Sequence, residues 1–423
     1  MDSSPLKRDI VIVGGGTAGS SAAIAAARRG HSVLLVEEQN CLGGTSTAGG
    51  VSEWFASLEG LGDIFESVKC ELERYGARSG RSFNPECLKL AWQLLAESAG
   101  VDLLFHASAI QATCAECRVE RVRIASCSKQ MDVEALIFID ASGEGDLAAL
   151  AGAEYMLGHP DSGLTLHMTL AAWMYDTGKP VTPYLPDGLE PIQDPTDLPG
   201  LGRGHRHDDG RVYLNATKVV RHDPTDPFSL SEAECEARRQ LIRIIHYLQR
   251  TEFPTHALGG TGARIGIREG RRIIGDYVLT QDDVLSRSEP LTFEDGVAVA
   301  TSQVDFHSLT KPGNSGWRQR LIPYNIPFRC LLVKDHKNLL TAGKCISTDQ
   351  VVHSSSRMTP TCCAMGQAAG TAAALAVEAN LSDIRELSVA HLRDVLMADG
   401  MELDPSKHQS FSSRETRLQE DDS

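Results

Sequence analysis

Asp9-Ile-Val-Ile-Val13-Gly14-Gly15-Gly16-Thr17-Ala18-Gly19 follows a polar lead of eight residues. Ile10–Val13 is a continuous β-branched run, the pattern of a parallel strand covered on both faces. Gly14, Gly16 and Gly19 follow with GxGxxG spacing, and an alanine-rich helix is predicted from Ala18 to Arg29, stopped by Gly30. Ser32-Val-Leu-Leu-Val36 predicts a second strand that ends at Glu37. In such a βαβ unit the first glycine permits a tight turn and the second lets a pyrophosphate approach the backbone. The third lets helix and strand pack closely, and the helix start around Thr17 and Ala18 offers free N–H groups. Glu37 stands eighteen residues beyond Gly19, with Glu38 next to it, placed to accept hydrogen bonds from a ribose diol. A carboxylate there repels a 2′-phosphate. The triplet alone is weak and could be a glycine-rich turn with nothing bound. Together with its βαβ context and the spaced acid it predicts a dinucleotide site.

Further along the chain, helices are expected over 62–76 and 84–99, a strand over 101–105, a hairpin over 109–114 and 119–126, and a strand over 135–139. Texture changes between 155 and 330: prolines cluster over 180–199, residues 201–211 read as a Gly/His/Arg/Asp loop, and a long helix covers about 230–250. Dinucleotide-type texture resumes at Asn338-Leu-Leu-Thr-Ala-Gly343, followed by a small-residue helix over 361–378 and a last helix near 388–398. The expected architecture is α/β. A Rossmann-type nucleotide-binding domain with a central parallel sheet is built from 1–154 and 331–380, with an inserted α+β substrate or cap domain at 155–330. A C-terminal helix (381–403) and a disordered tail (404–423) complete it.

The 423 residues are 42% hydrophobic and 23% charged, ordinary globular usage that excludes a mostly disordered chain. No run of eighteen apolar residues predicts a membrane span, and the first apolar run is too short for a cleavable signal. A net charge of −15 disfavours nucleic acid and anionic lipid as partners. Eleven scattered cysteines do not make a disulfide scaffold, so the reducing cytoplasm is the expected compartment.

Three features favour FAD over NAD. Gly43-Gly44-Thr45 offers a second glycine turn over the pyrophosphate. Ile139-Asp140-Ala141-Ser142-Gly143-Glu144-Gly145-Asp146 follows a strand in mid-chain. Gly343 and the helix containing Gly366 return to the cofactor late, whereas a plain NAD domain closes in about 150 contiguous residues. On these stretches the chain resembles the FAD-dependent oxidoreductases of the glutathione-reductase-like superfamily. The match runs through Ile10–Glu38, Leu42–Val51, Ile139–Gly152, Gly266–Tyr277, Val304–His307 and Asn338–Ala374. Arg268-Glu269-x-Arg271-Arg272 and the Arg357-Met-Thr-Pro-Thr361 turn are its more specific parts. The resemblance implies a two-domain flavoprotein with FAD extended along the first domain and its ring at the domain interface. The branch is catalytically mixed and names no substrate.

Flavin chemistry needs a base for the substrate proton and donors near the ring. His307, two residues after Asp305, is a candidate base or substrate ligand; its plain alternative is an interface histidine paired with Asp305. His353 is a second candidate, against a histidine in a Ser-rich turn. Arg268 and Arg272 would face one way on a helix and could hold a carboxylate; the alternative is an ion-pair network with Glu269, Asp276 and Asp282. Lys344 could place positive charge near the cofactor. Cys114-x-x-Cys117 falls on a hairpin turn, not at a helix start where a thiol is activated. Cys362-Cys363 reads as packed small residues, and His205-x-His207-Asp208-Asp209 as a solvated loop, so no metal is expected. No histidine flanks Gly43–Gly50 to attach flavin covalently. The reading is an oxidoreductase that transfers a hydride between a small polar metabolite and non-covalent FAD. The alternatives are an NAD-dependent dehydrogenase without flavin, a non-catalytic nucleotide-binding scaffold, and flavin-dependent nucleic-acid modification. The electron acceptor and oligomeric state stay open.

Overall fold

The structure is a computed structural model, and it describes residues 4–200, 205–310 and 316–412. Its centre is a sheet in which five strands run parallel, in the spatial order Asp102–Leu104, Val33–Val36, Leu6–Val13, Lys129–Asp140 and Leu339–Thr341. Ile10, Val11 and Ile12 are closed to solvent, as a two-sided strand requires. The predicted 135–139 strand is only the end of a 12-residue strand. Its first half leaves the parallel layer to pair antiparallel with Arg118–Ser126, which pairs in turn with Ala107–Ala115.

Register positions the site. Val13 pairs with Val36 on one side and Asp140 on the other, and Asp140 pairs with Thr341. The chain therefore leaves all four strands at one edge of the sheet, the edge where open α/β sheets bind ligands.

The helix after the first glycine turn, Thr17–Ala27, is buried from Ala18 onward because the helix Thr359–Glu378 crosses it. A Cβ on Gly366 would overlap the carbonyl oxygen of Ala18, and one on Gly370 that of Ala22. Glycine is needed at both crossings for backbone to meet backbone.

Only the 168–267 part of the expected 155–330 insert has its own core, with Met168, Leu170, Leu214, Ala237 and Ile244 at its centre; from Leu279 on, residues such as Val297, Val304, Tyr324 and Phe328 pack into the main core with Ile10 and Ile12. The strands Val212–Leu214, Ala172–Asp176 and His256–Thr261 form an antiparallel sheet beside the 24-residue helix Pro227–Arg250. Asp226 caps that helix, accepting from Ser229 N at 2.7 Å, which starts it earlier than predicted. In the predicted 201–211 loop, residues 205–206 pair as a short edge strand and 201–204 lie outside the described residues.

The expected tail is corrected over its first part. Pro405–Lys407 forms a helical turn, and Phe411 N donates to Thr301 O at 2.7 Å. Arg81 stacks over the Phe411 ring at 4.2 Å. Residues 413–423 lie outside the described residues. No helix among those described is long and apolar enough to cross a membrane.

Candidate cofactor and substrate site

Gly14 takes φ +99°, and any side chain there would overlap Ala141 O, so the first turn is open only to glycine. A Cβ on Gly19 would overlap Gly14 O: this glycine serves helix–strand packing. The second glycine turn lies directly on the first. Gly43 N donates to Gly15 O at 2.8 Å, Thr17 Oγ1 donates to Gly43 O at 3.2 Å, and a Cβ on Gly44 would stand 2.9 Å from Gly16 Cα. Gly16 caps the Thr17–Ala27 helix with no side-chain hydrogen bond and no acid in the first turn. Its amide end is therefore left to an anion.

These turns border a cleft open to solvent, which the 141–144 turn, the 264–267 segment and the start of the late helix also line. Of the residues expected at the cofactor, Gly14, Gly16, Thr17, Ala18, Glu37, Glu38, Gly44, Thr45, Gly143 and Gly343 line it together. Gly19, Gly43, Asp140 and Gly366 are not in the lining. Gly366 sits at the helix crossing and Gly43 beneath Gly44. Asp140, closed to solvent, accepts from Ser142 N at 3.0 Å, Ser142 Oγ at 2.7 Å and Ala148 N at 2.8 Å. It shapes the turn rather than facing a ligand. Burial raises its pKa to about 6 against those hydrogen bonds.

Glu37 accepts from Gly15 N at 2.5 Å and Gln39 N at 2.7 Å, and burial pushes its carboxyl up. Glu38 pairs with Arg264, which also faces Glu144 at 3.8 Å, and Glu144 holds Lys344 at 2.6 Å. Arg264 comes from the inserted region: Ala263 N donates to Ala48 O at 2.7 Å, laying that segment against the second glycine turn. Nothing local in the sequence marks Arg264. A second uncapped helix start closes the lining, with Thr359 at its first position and Cys362 after it.

Beside this cleft lies a polar cluster drawn from the paired strands Val304–His307 and Gly316–Gln319, from His167 and Arg268, and from Arg357. His307 Nε2 is 3.2 Å from Asp305 Oδ1. Asp305 also takes Arg318 Nε at 3.2 Å and Arg357 Nη2 at 3.0 Å, and Arg357 lines the cavity. Burial favours the neutral acid at Asp305, but His307, Arg357 and Arg318 outweigh it and hold the carboxyl well below its usual range. His307 is lowered by burial, with Asp305 opposing. The His167 ring meets His307 edge-on, centroids 4.5 Å apart. Arg268 donates to Thr169 Oγ1 and, at 3.3 Å, to His167 O.

Two expectations are corrected. The 268–271 segment is not helical, so Arg268 and Arg272 do not share a face. Arg272 instead forms a buried ion pair with Glu269, which also accepts from Leu166 N and Gln350 Nε2, each at 2.7 Å. Asp276 pairs with Arg385, not with these arginines. His353 is on a helix, Gln350–Ser356, and its Nε2 donates to Arg268 O at 2.9 Å. It supports Arg268 from behind.

Cys114 precedes an exposed hairpin turn and Cys117 lies within it, and burial raises the Cys362 and Cys363 thiols to about 12, leaving both unreactive. No metal-holding cluster occurs among the described residues.

Residues 9–396 match the FAD dependent oxidoreductase family, and the chain belongs to it. It is an enzyme of that oxidoreductase class, and FAD is its cofactor. No curated protein matches the chain. Among solved structures, it is similar to a geranylgeranyl bacteriochlorophyll reductase-like protein from Thermoplasma acidophilum (12% identity, 94% of this chain and 92% of that one, TM-score 0.48). It is also similar to the myxobacterial chondrochloren halogenase CndH (15%, 94% and 79%, TM-score 0.47). A third is L-proline dehydrogenase from P. horikoshii (13%, 87% and 93%, TM-score 0.43).

Proposed function

We propose that the enzyme transfers a hydride between a small polar metabolite and non-covalently bound FAD, with His307 exchanging the substrate proton. The observation that carries this is the His307–Asp305 pair, joined through Arg357 to the wall of the glycine-lined cavity. The residues fit the cofactor: two facing glycine turns and an uncapped helix start suit a pyrophosphate, and the Glu37 carboxylate suits a ribose diol. FAD, when bound, supplies a two-electron hydride acceptor. The chain supplies the rest. A carboxylate can only accept, so Asp305 fixes the His307 tautomer with the proton on Nε2 and the lone pair on Nδ1. That nitrogen takes the O–H or N–H proton that a substrate must lose as its C–H hydride departs. Arg318 and Arg357 hold Asp305 in place for this.

The two facing turns and the late return of the chain at Gly343 support the glutathione-reductase-like superfamily as its wider group. Eleven free thiols support a cytoplasmic location.

The test begins with the absorbance band at about 450 nm and release of the chromophore for mass measurement. Anaerobic bleaching with hydroxy, amino and unsaturated acids then finds the substrate. His307→Asn should keep its FAD and slow bleaching by about 10²–10⁴-fold. Bleaching at the original rate in that variant removes His307 from the role.

A further inference from the structure

We propose that the substrate is a small carboxylic acid whose carboxylate is bound by Arg268 and the Tyr213 hydroxyl; this rests on the flavin reading above.

The cluster beside the cavity is strongly unbalanced in charge. Arg268, Arg318 and Arg357 lie close enough for their charges to act on one another, and Arg268 acts on His167 and His307 alike. Asp305 is the carboxylate in direct contact with the group, and it is already shared by His307, Arg318 and Arg357. Glu53 also acts on Tyr213 and Arg81. Arg268 makes no ion pair among the described residues; it donates to the Thr169 hydroxyl and the His167 carbonyl. Arg268 is half-buried, and its planar guanidinium fork, free of any direct carboxylate contact among the described residues, matches a carboxylate. In a chain of net charge −15, this concentration of cations is a local reversal that would draw an anion in.

Unpartnered polar atoms in the same group point the same way. Tyr213 is 5% exposed and His167 4% exposed, yet Tyr213 OH and His167 Nδ1 have no hydrogen-bond partner, and neither does Arg357 Nε. Buried polar atoms are normally satisfied, so three orphans in a cluster whose Arg268 makes no ion pair describe a place for a ligand. The arrangement also sorts the arginines. Arg272 is consumed by Glu269, Arg318 and Arg357 by Asp305, and Arg268 is left for the substrate.

The experiment is calorimetric titration of the FAD-loaded enzyme with malonate and with lactate, using malonamide as the uncharged control. The shift of the flavin absorbance band is followed in parallel. Both acids should bind and malonamide should not. Arg268→Gln should weaken binding at least tenfold, Arg268→Lys should recover part of it, and Tyr213→Phe should weaken it about threefold to tenfold. FAD content should be unchanged in all three. Should Arg268→Gln fail to fold, the Lys and Phe variants decide. Equal binding of malonamide, no binding of either acid, or unchanged affinity in the variants overturns the carboxylate assignment while leaving the flavin reading intact. A protein that takes up no FAD fails the earlier reading instead, and carboxylate titration of that protein then decides the anion site alone.

Discussion

Glu269 and Arg272 illustrate how much one side chain can carry. Both are closed to water, and Glu269 also holds Leu166 N and Gln350. Glu269→Ala would leave the guanidinium buried alone and should cost about 3–5 kcal/mol of unfolding free energy, read from urea denaturation. His307 gives a pH signature. Burial lowers its pKa, so it stays neutral and able to take a proton through neutral pH. The rate of flavin reduction should be flat from pH 8 down to the ordinary histidine range and fall only on further acidification. Asp305 favours the protonated ring, so Asp305→Asn should move that falling limb to still lower pH. A limb that moves upward would show that Asp305 does not face the base. Asp140 gives the opposite kind of signature. Its folded pKa, about 6, lies above the unfolded 3.8, so the folded state holds the extra proton between these values. Stability from this group is lost as pH rises across that window. The stability difference, wild type minus Asp140→Asn, should therefore shrink from pH 4 to pH 6 and stay level above.

At the scale of elements, the crossing of Thr17–Ala27 and Thr359–Glu378 rests on missing side chains. Gly370→Ala would drive a methyl into Ala22 O and should cost about 1–3 kcal/mol, with a matching fall in melting temperature. Gly366→Ala presses on Ala18, in the first turn facing the cavity, and should lower FAD retention as well. The elements were also where the sequence was most readable. The strand–glycine–helix–strand opening is written in adjacent residues, by β-branched runs and glycine punctuation, and so is the Glu116-Cys117 hairpin turn. The 268–272 segment was not readable, because two arginines at helical spacing carry no periodic apolar partner to show that the backbone is extended. Ion pairs such as Glu144–Lys344 and Glu38–Arg264 span some 200 residues of chain, and spacing rules say nothing at that range. The role of Gly366 was misplaced for a related reason: a glycine made small for a helix crossing looks the same in sequence as one made small for a ligand.

For the whole molecule, the cleft proposed for FAD is lined from the early glycine turns, the 141–144 turn, the 264–267 segment and the late 342–362 stretch, so a ligand there ties distant parts together. FAD at a hundred times its dissociation constant should add about 2.7 kcal/mol to stability, visible as a concentration-dependent melting temperature. The same layout sets an order of events during synthesis. Gly14–Gly19 leaves the ribosome early, but the strand Leu339–Thr341 and the helix that crosses Ala18 and Ala22 come more than 300 residues later. At 5–20 residues per second that interval is roughly 20–70 s. A nascent chain displays its glycine fingerprint all that time with one wall of the cavity missing, so flavin loading belongs to the last moments of translation or after release. A chain stopped before Met358 should accordingly be recovered colourless, however much FAD the cell contains.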